Sequence, residues 1–132
     1  MAIFYKKHSS HKYSAKKTIF EGKSFPSRGE ANLFALLRQR ENLGEIKDVG
    51  TYYTVSLTEA CVKWKLDAHY FCLKRNRLIL CEFKGVEVEP YMVKKKLYRF
   101  YGPQILEIYK ANHRGIYLDE TITPLSLQTE HP

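Results

Sequence analysis

The stretch from Trp64 to Gly85 constrains the fold more than any other part of the chain. Its first arm, Trp64-Lys65-Leu66-Asp67-Ala68-His69-Tyr70-Phe71-Cys72-Leu73, alternates apolar and polar residues. Its second arm, Arg77-Leu78-Ile79-Leu80-Cys81-Glu82-Phe83-Lys84-Gly85, is an apolar run that ends in an acid, a spacer and a lysine. Alternation of this kind belongs to strands, whose side chains point to opposite faces in turn. The linker Lys74-Arg75-Asn76 is turn-like, so the two arms form a hairpin. A two-residue turn centred on Arg75-Asn76 sets Asp67 opposite Lys84 and His69 opposite Glu82. Leu66, Ala68, Tyr70 and Cys72 then share one apolar face with Ile79, Cys81 and Phe83. A slip of one residue would exchange the faces. The apolar pattern therefore argues for the register that brings Asp67, Glu82 and Lys84 together.

Two carboxylates and a lysine at one strand end point to metal chemistry. Like charges ~4 Å apart repel by about 4 kcal/mol at an effective dielectric of 20. A hard divalent cation with oxygen ligands relieves that repulsion. Magnesium needs only one or two carboxylates, because it keeps waters and takes substrate phosphate oxygens. Lys84 then orients water or offsets phosphate charge, which is the arrangement for phosphodiester hydrolysis. The bland alternative is a cross-strand ion pair between Asp67 and Lys84. It leaves Glu82 without a role.

The 132 residues suffice for one domain with a modest core. The formal charge is +8 and the pI about 9.4. Residues 1–29 carry seven Lys/Arg against one Glu, so most of the excess lies in an N-terminal arm. Such an arm suits a polyanion, nucleic acid before an anionic membrane surface, since it has no amphipathic stripe. No apolar run is long enough to span a bilayer and no signal-peptide core is visible, so a cytoplasmic protein without membrane contact is expected. The three cysteines, Cys61, Cys72 and Cys81, form no CxxC pair. Cys72 and Cys81 read as small core residues rather than as disulfide or zinc partners.

Residues 1–24 read as a flexible basic arm with a short strand near Thr18-Ile19-Phe20. His8 and His11 in it read as solvated. Residues 25–110 read as the core and 111–132 as an unpatterned tail. Ser27 is an N-cap with Glu30 at capping-box spacing, ahead of a helix marked by Ala31, Leu33, Phe34, Leu36 and Leu37. Gly44 is placed to stop it. Glu30 either caps this helix, joins the acidic site, or does both. A short strand over Glu45–Val49, a break at Gly50 and a strand over Thr51–Leu57 precede the hairpin. Pro90 opens a second helix through Tyr101. Its Lys94, Lys95, Lys96 and Arg99 are either a solvated face or a grip for phosphates. A last strand, Gln104–Tyr109, would return parallel to the hairpin. The fold class is α/β, a central mixed β-sheet flanked by helices.

These pieces, taken together, resemble the PD-(D/E)xK nuclease superfamily. Within it they are similar to the small phage endonucleases related to the endonuclease I type of Holliday-junction resolvase. The likeness runs from about Phe25 to Tyr109. It rests on Ser27-Arg28-Gly29-Glu30-Ala31, Gly44-Glu45-Ile46-Lys47-Asp48, Leu66-Asp67, Cys81-Glu82-Phe83-Lys84-Gly85 and Lys94-Lys95-Lys96-Leu97, in that order and spacing. Leu66 stands where the motif often has proline. The resemblance implies a restriction-endonuclease-like core, with Asp67 as central metal-binding acid, Glu82 as second acid and Lys84 as motif lysine. It also implies Glu30 as helix-one acid and the Phe83 backbone carbonyl as a further metal ligand. A Mg2+ or Mn2+ cofactor and a homodimer acting on branched DNA follow from it, in the host-cell cytoplasm if the chain is phage-encoded.

The expected function is thus a metal-dependent, structure-selective DNA endonuclease. Its catalytic residues are Glu30, Asp67, Glu82 and Lys84. Its DNA-binding residues are Lys6, Lys7, Lys12, Lys16, Lys17, Arg28, Lys94, Lys95, Lys96 and Arg99. Two alternatives are a nicking or transposase-type nuclease subunit that needs a partner protein, and a basic DNA-binding module that keeps the fold without cutting.

Overall fold

The computed structural model describes residues 4–6, 17–86 and 88–128. Eight strands form two sheets. Strands β1 (Phe4–Lys6), β2 (Lys17–Phe20) and β3 (Lys23–Phe25) make a small antiparallel sheet. The second sheet has five strands in chain order: β4 (Ile46–Ser56), β5 (Lys63–Cys72), β6 (Arg77–Phe83), β7 (Ile105–Asn112) and β8 (Gly115–Ile122). Helix α1 (Arg28–Asn42) precedes it, α2 (Glu89–Tyr101) connects β6 to β7, and a turn of helix α3 (Leu125–Gln128) follows. Among the described residues only β6 and β7 pair in parallel. A crossover through a helix is what such a pair requires. The chain is therefore α/β with a mixed sheet flanked by helices, as its pattern predicts.

Helix α1 starts and stops on local signals. The Ser27 hydroxyl accepts the Glu30 N–H at 3.1 Å, and Gly44 takes a positive φ of 79° just past the end. Its apolar residues serve two layers. Leu33 and Leu37 pack with Ala68, Tyr70, Ile79 and Ile105 of the large sheet. Ala31, Phe34 and Ala35 pack with Phe20 and Phe25 of the small one. On the other side of the large sheet, Tyr91 and Tyr98 of α2 pack with Trp64, Leu66, Leu80, Leu106 and Ile108. Each such large side chain contributes about 1.5–3 kcal/mol on burial. Strand β5 changes layers near Asp67, since Ala68, Tyr70 and Cys72 lie in the α1 layer while Trp64 and Leu66 lie in the α2 layer.

Four details depart from the sequence pattern. The short strand expected near Thr18-Ile19-Phe20 is β2, but instead of lying in a loose arm it continues through Glu21 and Gly22, both at positive φ, into β3 as a hairpin. Gly50 does not break the chain, because β4 runs through it with a bulge between Lys47 and Gly50. The tail carries an ordered strand, β8, antiparallel to β7. Finally, the β5–β6 turn spans four residues, Leu73–Asn76, with Asn76 at φ 53°. The pairs are Ala68–Cys81, His69–Leu80, Tyr70–Ile79, Phe71–Leu78 and Cys72–Arg77. Opposing residues are thus displaced by two from a two-residue turn. An even displacement keeps Ala68, Tyr70, Cys72, Ile79 and Cys81 on one face, whereas Leu66, expected beside them, lies in the α2 layer. His69 lies across from Leu80 and not Glu82, and Asp67 and Glu82 lie one step beyond the last pair.

Candidate functional site

Three elements bring carboxylates to the C-terminal end of β6. Glu82 comes from β6 itself and is 4% exposed. Asp67 comes from β5, and its Oδ2 accepts the Phe83 N–H at 2.8 Å, which locks it to the neighbouring strand. Glu30 comes from the first turn of α1. The Ser27 hydroxyl, besides capping the helix, donates to Glu30 Oε2 at 2.6 Å and so aims this carboxylate. Ser27 is thus the cap, and the Glu30 side chain meets its hydroxyl rather than a backbone N–H. Gly29 is the device that lets the helix approach. A Cβ there would stand 2.0 Å from the Phe83 ring.

Lys84 completes the group. Its Nζ lies 3.1 Å from Glu82 Oε2 and 4.7 Å from the centre of the Tyr91 ring. Asp67 is not its partner. The cross-strand pair of Asp67 with Lys84 is replaced by the pair of Glu82 with Lys84, a consequence of the longer turn. Tyr91 also lies 5.8 Å from the Lys95 Nζ, so one ring joins the basic stretch of α2 to the site.

The charges are frustrated. Burial, then the Glu82 charge, then Glu30 push the Asp67 carboxyl up to about 10. Burial also raises Glu82, against the pull of Lys84. Glu82 Oε1 is buried and no donor reaches it. Around this carboxylate stand the Lys84 ammonium, which meets Oε2, and the Asp67 and Glu30 carboxyls, which donate only when protonated. Such a place calls for a proton or a cation. Among the described residues no group of three or more His, Cys, Asp or Glu side chains is spaced as a ready metal cage. Two carboxylates with phosphate and water oxygens are nevertheless a sufficient set for magnesium. Asp67 and Glu82 are the side chains that could hold it.

Tyr52 adjoins the acidic cluster, and pattern reading does not find it. It stands across from Asp67, between the pairs Thr51–Ala68 and Tyr53–Leu66. Its φ is 60°, a left-handed conformation that costs a non-glycine residue on the order of 1–2 kcal/mol. Burial, followed by the Glu30 and Asp67 charges, raises its phenol. The signal was out of reach because Thr51–Leu57 reads as ordinary strand, and no pattern announces a positive φ at a tyrosine. His69 sits against Gly50, where a Cβ would come within 2.5 Å of its ring, and burial lowers its pKa. A second buried acid, Glu107, was also unforeseen. Its Oε1 accepts the Tyr70 and Tyr109 hydroxyls at 2.7 and 2.9 Å. That group lies in the α1 layer, where Cys81 Sγ also reaches Glu107 Oε1 at 3.9 Å.

The basic residues divide. Lys7, Lys12 and Lys16, with His8 and His11, lie outside the described residues, and Lys6 is placed only by its backbone in β1. Lys17 and Arg28 are exposed at the ends of β2 and α1. On α2, Lys96 is exposed and Lys94 half-buried, while Lys95 and Arg99 both pair with Glu120 of β8. Cys72 and Cys81 are buried free thiols and Cys61 is an exposed one. Among the described residues no helix is long and apolar enough to cross a membrane. Comparison with family models, with curated proteins and with solved structures returned no match.

Proposed function

We propose that this chain is a magnesium- or manganese-dependent endonuclease that hydrolyses phosphodiester bonds in branched DNA. The observation that carries the reading is the convergence of Glu30, Asp67 and Glu82 from three elements beside Lys84, with Glu82 Oε1 buried and offered no donor. Asp67, Glu82 and the Phe83 carbonyl would hold the ion. When bound, it supplies Lewis acidity to the phosphate and to an attacking water.

The chain's own groups have distinct tasks. The Phe83 N–H holds Asp67 in place, and Ser27 holds Glu30 at the rim of the cluster. Lys84 presents an ammonium between Glu82 and Tyr91, where it can donate to a phosphate oxygen or to water. Lys94 and Lys96 lie on α2, the helix whose Lys95 reaches the Tyr91 ring, and they suit the DNA backbone, which takes most protein contacts in such interfaces. A cytoplasmic homodimer, cutting two strands with two such sites, is part of the same proposal.

The test uses the purified protein with magnesium, a labelled four-way junction and the matched duplex. Wild type should cut the junction in preference. Glu82→Ala, with its fold checked by circular dichroism, should be at least 100-fold slower, the usual order for loss of a main electrostatic group. Equal activity in the two proteins would sink the proposal.

A further inference from the structure

We propose that Tyr52, with Lys65, is a platform on which an unstacked nucleobase beside the scissile phosphate lies. Tyr52 is thus a positioning residue that selects branched over intact DNA. The inference rests on the nuclease reading above and names the substrate feature that the site would recognise.

Four observations carry it. Tyr52 stands across β4 from Asp67, at the mouth of the acidic cluster. Its backbone is held at φ 60°, where a glycine would sit without cost, so the fold itself has no need of an aromatic there. Strain of this kind at a bulky residue is concentrated at functional positions. The residue is 36% exposed in spite of its size. The exposed Lys65, two residues before Asp67, places its Nζ 4.2 Å from the ring centre.

The chemistry follows from what surrounds the pair. Three carboxylates repel a polyanion, so a substrate needs a local attraction to approach them. An aromatic face with a lysine provides it, since bases stack on the ring and the ammonium takes the adjacent phosphate. Within a stacked duplex a base offers only its edges. Near a branch point bases can splay and offer a face. Selection then arises at Tyr52 without any reading of sequence.

The test measures binding apart from cutting. Four-way junctions with 2-aminopurine at the nucleotides flanking the branch point are titrated in calcium with wild type, Tyr52→Phe, Tyr52→Gly and Tyr52→Asn. Glycine and asparagine both tolerate the positive φ, so the fold is retained. Loss of the ring should weaken junction binding about 10-fold and abolish the 2-aminopurine signal, with intact duplex unaffected. Tyr52→Phe should stay within about twofold, because stacking needs only the ring. Non-aromatic variants that match wild type overturn the proposal. So does a phenylalanine variant as weak as glycine, or a wild type that binds no DNA. Repeating the series in magnesium separates the two claims. Tyr52-dependent binding without cutting removes the nuclease reading and leaves the platform. Cutting that Tyr52→Gly leaves unchanged removes the platform and leaves the nuclease.

Discussion

Asp67→Asn should make the metal-free protein more stable, although it removes a group proposed to be catalytic. The reason is electrostatic. The carboxyl, ordinarily at 3.8, is held up to about 10 by burial, by Glu82 and by Glu30. A group raised on folding contributes its stability below its unfolded value and loses it as pH climbs toward the folded one. At pH 8 the gap from 3.8 is about four pH units, which bounds the penalty at roughly 5–6 kcal/mol. Relaxation of the side chains and the charge of Lys84 on Glu82 reduce it, and a net gain of about 1–3 kcal/mol is expected. Asparagine keeps an oxygen for the Phe83 N–H and turns an amide donor toward the carboxylates. The assay is thermal unfolding in chelator at pH 5, 6.5 and 8. The advantage of the variant should grow with pH and reach about 4–12 °C at pH 8. Magnesium at ten times its Kd should raise wild-type stability by about 1.4 kcal/mol and the variant's by almost nothing. A variant less stable than wild type, or a difference independent of pH, refutes the reasoning.

Three further outcomes are expected. Gly29→Ala should cost about 1–3 kcal/mol by overpacking against Phe83, and should be nearly neutral in a Phe83→Ala background, which a double-mutant cycle by urea unfolding measures. Ser27→Ala should lose about 1 kcal/mol with the cap and also slow junction cleavage, because Glu30 loses the hydroxyl that aims it. Glu41 is held below its usual value by the Val49 N–H first and by Arg38 next. Its contribution is therefore present above about pH 4.5 and is lost as pH falls. Glu41→Gln should cost about 1 kcal/mol at pH 7 and nothing at pH 2, read from paired melting curves.

Much of the architecture was legible because it is written in local physics. The Ser27 cap, the Gly44 stop and Pro90 at the start of α2 act within a few residues, and the structure places all three as their chemistry requires. The face shared by Ala68, Tyr70, Cys72, Ile79 and Cys81 was equally legible, but Leu66, expected with them, lies in the α2 layer because β5 changes layers near Asp67. Alternation survives a register displacement of two, so Asp67, Glu82 and Lys84 stayed together although their pairing changed. The strand near Thr18-Ile19-Phe20 was legible, but its pairing into the β2–β3 hairpin was not, and neither was β8. Their strands are short or mixed, with burial that comes from α1 or β7 and not from their own periodicity.

What the sequence by itself determined is which residue types cluster at one strand end and which face they share, because side-chain alternation is a property of any strand. What only the tertiary structure decided is who touches whom. A four-residue turn gave Lys84 to Glu82, a glycine against Phe83 let Glu30 reach the sheet, and a left-handed tyrosine was set across from Asp67. Those outcomes depend on turn geometry and on packing between distant segments. Neither leaves a periodic trace along the chain.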